Sequence, residues 1–197
     1  MSTMFADGPR TVREVADELL ETQRVEYLEE GELIFVPPAG FTHLTTLRLL
    51  TKFIIRAFPS VTDVDWELTS ENFQWEFGDG TERFSIPDMI VAFPGATSRA
   101  ELRENIALIV EITSPKSPKT VTNDKGLKPK RYAKAGVPFY LLVDQQEGSW
   151  TLHELRDDWP GYQIHSTGEY GKPIELPAPF GFAIPTDKWP AYSEDGE

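Results

Sequence analysis

The sequence predicts an α/β fold, with a mixed central β-sheet flanked by helices and an N-terminal helix and hairpin leading into it. Three observations carry this. The segments 86–93 and 106–113 are apolar runs with the look of strands, each holding one carboxylate. A helix signal opens at Gly126 and is stopped by Gly136 and Pro138. Phe139-Tyr140-Leu141-Leu142-Val143 then forms a continuous apolar run, the pattern of a buried central strand. Strand, strand, helix, strand in that order is the signature of an α/β core.

The elements follow in chain order. Thr11-Val12-Arg13-Glu14 has capping-box spacing, and Val12, Val15, Ala16 and Leu19 continue it as a short helix to about Leu20. Arg24 to Leu28 and Glu32 to Val36 read as a hairpin turning at Glu29-Glu30-Gly31 and ended by Pro37-Pro38. From Thr42 to Phe58, Leu44, Leu47, Leu50, Phe53, Ile54 and Ala57 share one face of an amphipathic helix. One or two strands lie between Val61 and Phe77, before a Gly78-Asp79-Gly80 turn. After the carboxylate strands, joined by a polar connector from Pro94 to Asn105, come the 126–135 helix and the 139–143 strand. A peripheral hairpin, Ser149 to Glu154 and Gly161 to His165, is next. The proline-rich tail from Lys172 is expected to pack on the surface. With no repeat or linker, 1–197 reads as one domain, with 1–9 and 188–197 flexible.

Composition narrows the function. There is no cysteine, which removes disulfides, thiolate nucleophiles and thiolate zinc sites. No apolar run reaches the length of a membrane helix, and Met1 to Arg10 lacks a secretion-signal core, so a cytoplasmic location is expected. The net charge of −13 argues against nonspecific coating of nucleic acid. It leaves room for a local positive patch, and 116–134 supplies one: seven Lys or Arg against the single acid Asp124.

Charges inside buried strands are rare unless paired or bound to metal. Asp88 opens one apolar segment and Glu111 sits within Leu108-Ile109-Val110-Glu111-Ile112. Two such carboxylates on neighbouring strands would serve Mg²⁺, with Mn²⁺ as a substitute and the Ile112 carbonyl as a third ligand. A nearby lysine would stabilise charge on a phosphodiester under attack. Plainer readings stand beside this one. Asp88 after Pro87 could be a turn residue, Glu111 half of a buried ion pair, and the lysine run a solvated face. Asp124 and Lys128, four apart, read as a structural pair. Glu26 and Glu32 could approach the same cleft or be exposed, and His153 and His165 read as structural. Pro129 belongs in a first helical turn, which puts Lys128 in the opening turn of its helix, where free N–H groups would favour a phosphate.

Several stretches together resemble the Uma-two family of bacterial restriction-endonuclease-like proteins, within the PD-(D/E)XK nuclease superfamily. They are Pro87-Asp88; Val110-Glu111-Ile112-Thr113-Ser114-Pro115; Asp124-Lys125-Gly126-Leu127-Lys128; and Tyr132 to Asp144. Val25-Glu26-Tyr27-Leu28, Gly31-Glu32-Leu33, Pro37-Pro38 and His43 fit as well. The resemblance implies a restriction-endonuclease-like core and a metal-dependent endonuclease acting on DNA, with Asp88 and Glu111 as metal ligands. It implies that the lysine usually two residues after the glutamate, replaced here by Thr113, has moved to Lys128, with Lys116, Lys119 and Lys125 as competitors. His43 would position a water or phosphate, or else cap or pack. Lys116, Lys119, Lys125, Lys130, Arg131 and Lys134 would contact flanking phosphates. A homodimer would offer two sites to two strands. The alternatives are a nuclease fold without turnover that binds DNA or protein, which Thr113 and the acidic charge favour, and a two-carboxylate glycosidase, disfavoured by the lysines.

Overall fold

In the computed structural model of the chain, residues 11–192 are described except 21–22, 30–31, 62–66, 71–73, 79, 94 and 96–97. Helix α1 (Val12–Leu20) begins with the expected reciprocal cap. The Thr11 N–H donates to Glu14 Oε2 at 2.7 Å, and the Glu14 N–H to Thr11 Oγ1 at 3.2 Å. Strands β1 (Val25–Glu29) and β2 (Glu32–Phe35) pair antiparallel as the predicted hairpin. Two residues of its expected turn lie outside the described residues. Helix α2 (Phe41–Val61) runs longer at both ends than its apolar face suggests, burying Leu50, Ile54 and Phe58. Next come β3 (Glu67–Ser70), β4 (Trp75–Glu76), β5 (Phe84–Ser85) and β6 (Met89–Ala92).

The polar connector holds a short helix the sequence reading lacks, α3 (Arg99–Glu104), capped by Ser98 accepting from the Glu101 N–H. After β7 (Ile106–Ile112) comes an additional helix, α4 (Pro118–Lys125), joined at Gly126 to α5 (Leu127–Lys134), the helix expected over 126–135. Pro118 at the first turn of α4 was the missed signal. This changes the electrostatics expected at Gly126. The Gly126 N–H donates to the Asn123 carbonyl at 3.2 Å and is therefore taken up within the elbow.

Strands β8 (Phe139–Asp144), β9 (Ser149–Leu155) and β10 (Tyr162–Glu169) follow, then β11 (Ile174–Glu175) and β12 (Ala183–Ile184). The main sheet has the order β10-β9-β8-β7-β6-β3, with β7 and β8 parallel and the other neighbours antiparallel, so the predicted mixed sheet is present. The hairpin expected at the periphery continues this sheet, β9 pairing along the whole of β8.

The sheet has two different faces. Alternation sends Met89, Val91, Leu108, Val110, Leu141 and Val143 toward α2, and Ile90, Ile109, Tyr140 and Leu142 toward α5 and the small sheet β2-β1-β5-β4. The tail corrects a second expectation. Ile174, Leu176, Phe180, Ile184 and Trp189 are buried in the α2-side core instead of resting on the surface. Trp189 meets Tyr170 edge-on at 5.3 Å, within the end expected to be flexible; residues 1–9 and 193–197 of the two expected flexible ends lie outside the described residues. Among the described residues no helix is long and apolar enough to cross a membrane.

Candidate active site

Register brings the two carboxylates together. Met89 on β6 faces Val110 on β7, so Asp88 and Glu111 fall at the next position, on the α5 side of the sheet with Ile90 and Ile109. Both line a cavity of about 30 Å³, shared with Glu26 of β1, His43 of α2, and Asp124 and Lys128 of the α4–α5 elbow. That is room for a cation and a water or two.

Each carboxylate is held from two sides. Asp88 Oδ2 accepts the Ile112 N–H at 2.8 Å, and Oδ1 lies 3.2 Å from His43 Nε2. Glu111 Oε1 accepts from the Tyr132 hydroxyl at 2.6 Å and from Lys128 Nζ at 3.1 Å. With its proton given to Glu111, Tyr132 OH can only accept from Ser85 Oγ, 3.0 Å away. Lys128 Nζ also lies 2.9 Å from Asp124 Oδ1 and 3.0 Å from Glu26 Oε1. The lysine is 2% exposed, with one ammonium serving three carboxylates.

Four buried carboxylates face three cations, Lys128, His43 and the half-buried Arg24 that lines the same cavity, so acids outnumber bases by one. Burial drives the Asp124 carboxyl up to about 7, with Lys128 opposing and Glu26 adding to the rise. Burial likewise pushes Glu111 well above the usual carboxylate range, against the pull of Lys128. On Lys128 burial acts to lower the pKa, but Asp124, Glu111 and Glu26 outweigh it and raise it well above the ordinary value. Asp88 goes the other way. Burial would raise it, but the His43 charge and hydrogen bond and the Ile112 N–H hold it below its ordinary value. Burial would lower His43, yet Asp88 raises it on balance.

The other predicted residues scatter. Thr113 is buried; its hydroxyl donates to Asp144 Oδ1 at 3.4 Å and accepts the Gln145 N–H at 3.1 Å, fastening the end of β7 to that of β8. Lys125 Nζ is 2.5 Å from Asp144 Oδ2. Lys119 pairs with Glu32, and Lys116 is exposed. Of the four lysines weighed for the place beside Glu111, the structure sets Lys128 there. Lys130 and Lys134 are exposed on α5, and the Arg131 guanidinium lies 5.8 Å from the centre of the Phe77 ring. The Asp124–Lys128 pair exists as read, but buried and shared. Tyr132 was not read as a site residue. Glu26, a carboxylate within the apolar Val25-Glu26-Tyr27-Leu28, carries the same signal that singles out Glu111.

Two observations bear on whether a metal fits. Glu26 Oε2 is buried without a hydrogen-bond partner, an orphaned acceptor in a pocket with excess negative charge. Among the described residues no group of three or more His, Cys, Asp or Glu is arranged to hold a metal ion by itself. The donor set fits a hard divalent cation that takes one or two carboxylates and completes its shell with water and substrate oxygens.

Residues 14–187 match the sequence model of the Uma2 family, described as "Putative restriction endonuclease". The fold is similar to a crystal structure of a putative nuclease belonging to DUF820 from Anabaena variabilis, at 18% identity and a TM-score of 0.58, covering 92% of this chain and 97% of that one. No curated protein matches the chain.

Proposed function

The chain belongs to the Uma2 family of putative restriction endonucleases, and from that premise we propose that it is a metal-dependent endonuclease hydrolysing DNA phosphodiester bonds. One observation carries the reading: Asp88, Glu111 and Lys128, from three separate elements, converge on a single buried cavity with excess negative charge. Asp88 and Glu111 would hold Mg²⁺ or Mn²⁺, with the Ile112 carbonyl as a third donor and water and substrate oxygens completing the shell. The ion would supply Lewis-acid stabilisation of the phosphate and a more acidic bound water. His43 and the Ile112 N–H fix Asp88 in its ionised form. Tyr132 and Lys128 orient Glu111, and Lys128 is the cation available to negative charge growing on the phosphate. Lys116, Lys130, Arg131 and Lys134 would steady the flanking backbone. Lys119 and Lys125 would first have to leave Glu32 and Asp144.

Plasmid nicking with Mg²⁺ or Mn²⁺ tests this. Asp88→Ala should reduce nicking by at least about a hundredfold, in line with the loss of a catalytic group. Lys128→Arg, which keeps the charge, should retain the fold by thermal melt yet cut nicking about tenfold or more, since the larger head cannot reproduce a three-carboxylate fit. Unchanged nicking in Asp88→Ala would sink the reading. The grip of three carboxylates on Lys128, with Thr113 in the usual lysine position, favours a second reading, a DNA- or protein-binding module without turnover. That version is the one left standing if DNA binds and is never cut. Sedimentation of the DNA-bound protein reads whether two copies assemble to address two strands.

A further inference from the structure

Helix α5 has two working faces. Lys128 and Tyr132 point into the site, whereas Lys130 and Lys134, spaced four apart on another face, line a separate open groove of about 730 Å³. Lys125 at the elbow continues that wall with its ammonium paired to Asp144, so Lys130 and Lys134 carry the wall's charge. The opposite wall belongs to the β9–β10 hairpin and includes His153, Gly161 and Tyr162. No carboxylate lines the groove among the described residues, although the chain as a whole carries −13.

The aromatic side is built and held. The Tyr162 hydroxyl donates to the Val137 carbonyl at 2.8 Å, and its ring stacks on buried Tyr140 at 5.9 Å and 23°. His153 stacks on the same Tyr140 at 5.6 Å and 30°. Burial lowers the His153 pKa, so near neutrality it presents an uncharged ring. Both rings remain only half-buried, so part of each stays open to a ligand. Lysines on one wall and fixed aromatic rings on the other match a phosphate backbone whose bases are free to stack. Paired bases, stacked within a duplex, could not reach the rings.

We propose that the groove between α5 and the β9–β10 hairpin seats an unpaired stretch of the DNA strand leading away from the cleavage site. This rests on the nuclease reading only for the identity of the ligand as DNA. It deepens that reading by naming the substrate class as DNA with a single-stranded tail, flap or gap beside the scissile bond.

Fluorescence anisotropy in EDTA, with no turnover, tests it. The probes are a labelled blunt duplex of about 20 base pairs and the same duplex with a single-stranded tail of about six nucleotides. The tailed probe should bind about tenfold more tightly, the scale of one to two stacked bases. Lys130→Glu combined with Lys134→Glu should erase that preference, as should Tyr162→Leu, each checked for folding by thermal melt. Equal affinity for the two probes overturns the proposal. So does a charge reversal that weakens both probes by the same factor, or a free nucleoside monophosphate that competes as well as the tail. Nicking without tail preference would sink the groove and leave the nuclease. Tail preference without nicking would do the opposite.

Discussion

At the residue scale, Lys128 decides the electrostatics of the site. Removing one partner from a buried ion cluster strands the remaining charges, at a cost of about 3–5 kcal/mol. Lys128→Met should lose about that much in urea unfolding at about pH 8, because Glu26, Glu111 and Asp124 would share the pocket without their cation. The loss should shrink at about pH 5, where the carboxylates with raised pKa values are protonated. The wild type should show the same chemistry. Asp124, at about 7 when folded against 3.8 ordinarily, keeps its proton in the folded state while the unfolded chain releases it. More protons bound in the folded state means stability falls as pH rises from about 4 to about 7, and Glu111 acts in the same direction. His43 contributes stability present below 6.5 and lost as pH rises through its raised value. Asp88, lowered, contributes stability present above 3.8 and lost only on stronger acidification. The urea midpoint of metal-free protein should therefore fall between about pH 5 and pH 8, and Asp124→Asn should flatten the fall. A midpoint that rises over that window would contradict the charge balance described for the cavity. Tyr132→Phe tests orientation separately from charge: losing the bond to Glu111 should lower nicking about tenfold and raise the metal concentration required.

At the scale of elements, the tail behaves as core. Phe180→Ala should cost about 3–5 kcal/mol, because the ring fills space against Phe139 and Phe182 in the cluster under α2. A loss below about 1 kcal/mol in chemical denaturation would mean the tail is dispensable cover. By contrast Thr11→Ala should cost about 1 kcal/mol through the cap of α1 and leave nicking unchanged. The tail also shows what could and could not be read from the chain. Ile174 and Leu176, and Phe180, Phe182 and Ile184, do step by two, but prolines at 173, 177, 179 and 185 cut the pattern into pieces too short to read as strands. Only the long-range fit against α2 makes them core. β6, β7 and β8 were legible because both their faces are buried and their sequences are continuously apolar. Asp88 and Glu111 stood out against that background, and Pro129 located Lys128. Glu26 carried the same signal in a shorter strand. Tyr132 carried none, since a tyrosine in a helix looks like packing until its hydroxyl is seen on Glu111. Helix α4 was hidden because Pro118–Lys125 carries one aliphatic residue, Val121, and so no helical stripe.

At the scale of the whole molecule, the question is how a chain of net charge −13 meets DNA. Approach must be local, because at physiological salt charges more than about 8 Å apart through solvent are largely screened. The acidic remainder then acts mainly to discourage binding elsewhere on the surface. About four phosphate contacts, the number that Lys116, Lys130, Arg131 and Lys134 could make, would give a slope near −3.6 in log affinity against log salt. Affinity for a metal-free duplex with a single-stranded tail should thus fall about a hundredfold between roughly 50 and 200 mM salt. Lys116→Glu should weaken binding about equally across sequences and reduce the slope by about one, because an exposed lysine beyond β7 reads backbone and not bases. Lys119, already paired with Glu32, should change the slope less. If Lys116→Glu left the slope untouched while the binding remained salt-dependent, DNA would be meeting another surface. The three cations Arg48, Lys52 and Arg56, which line one groove on α2, would then be the surface to reverse next.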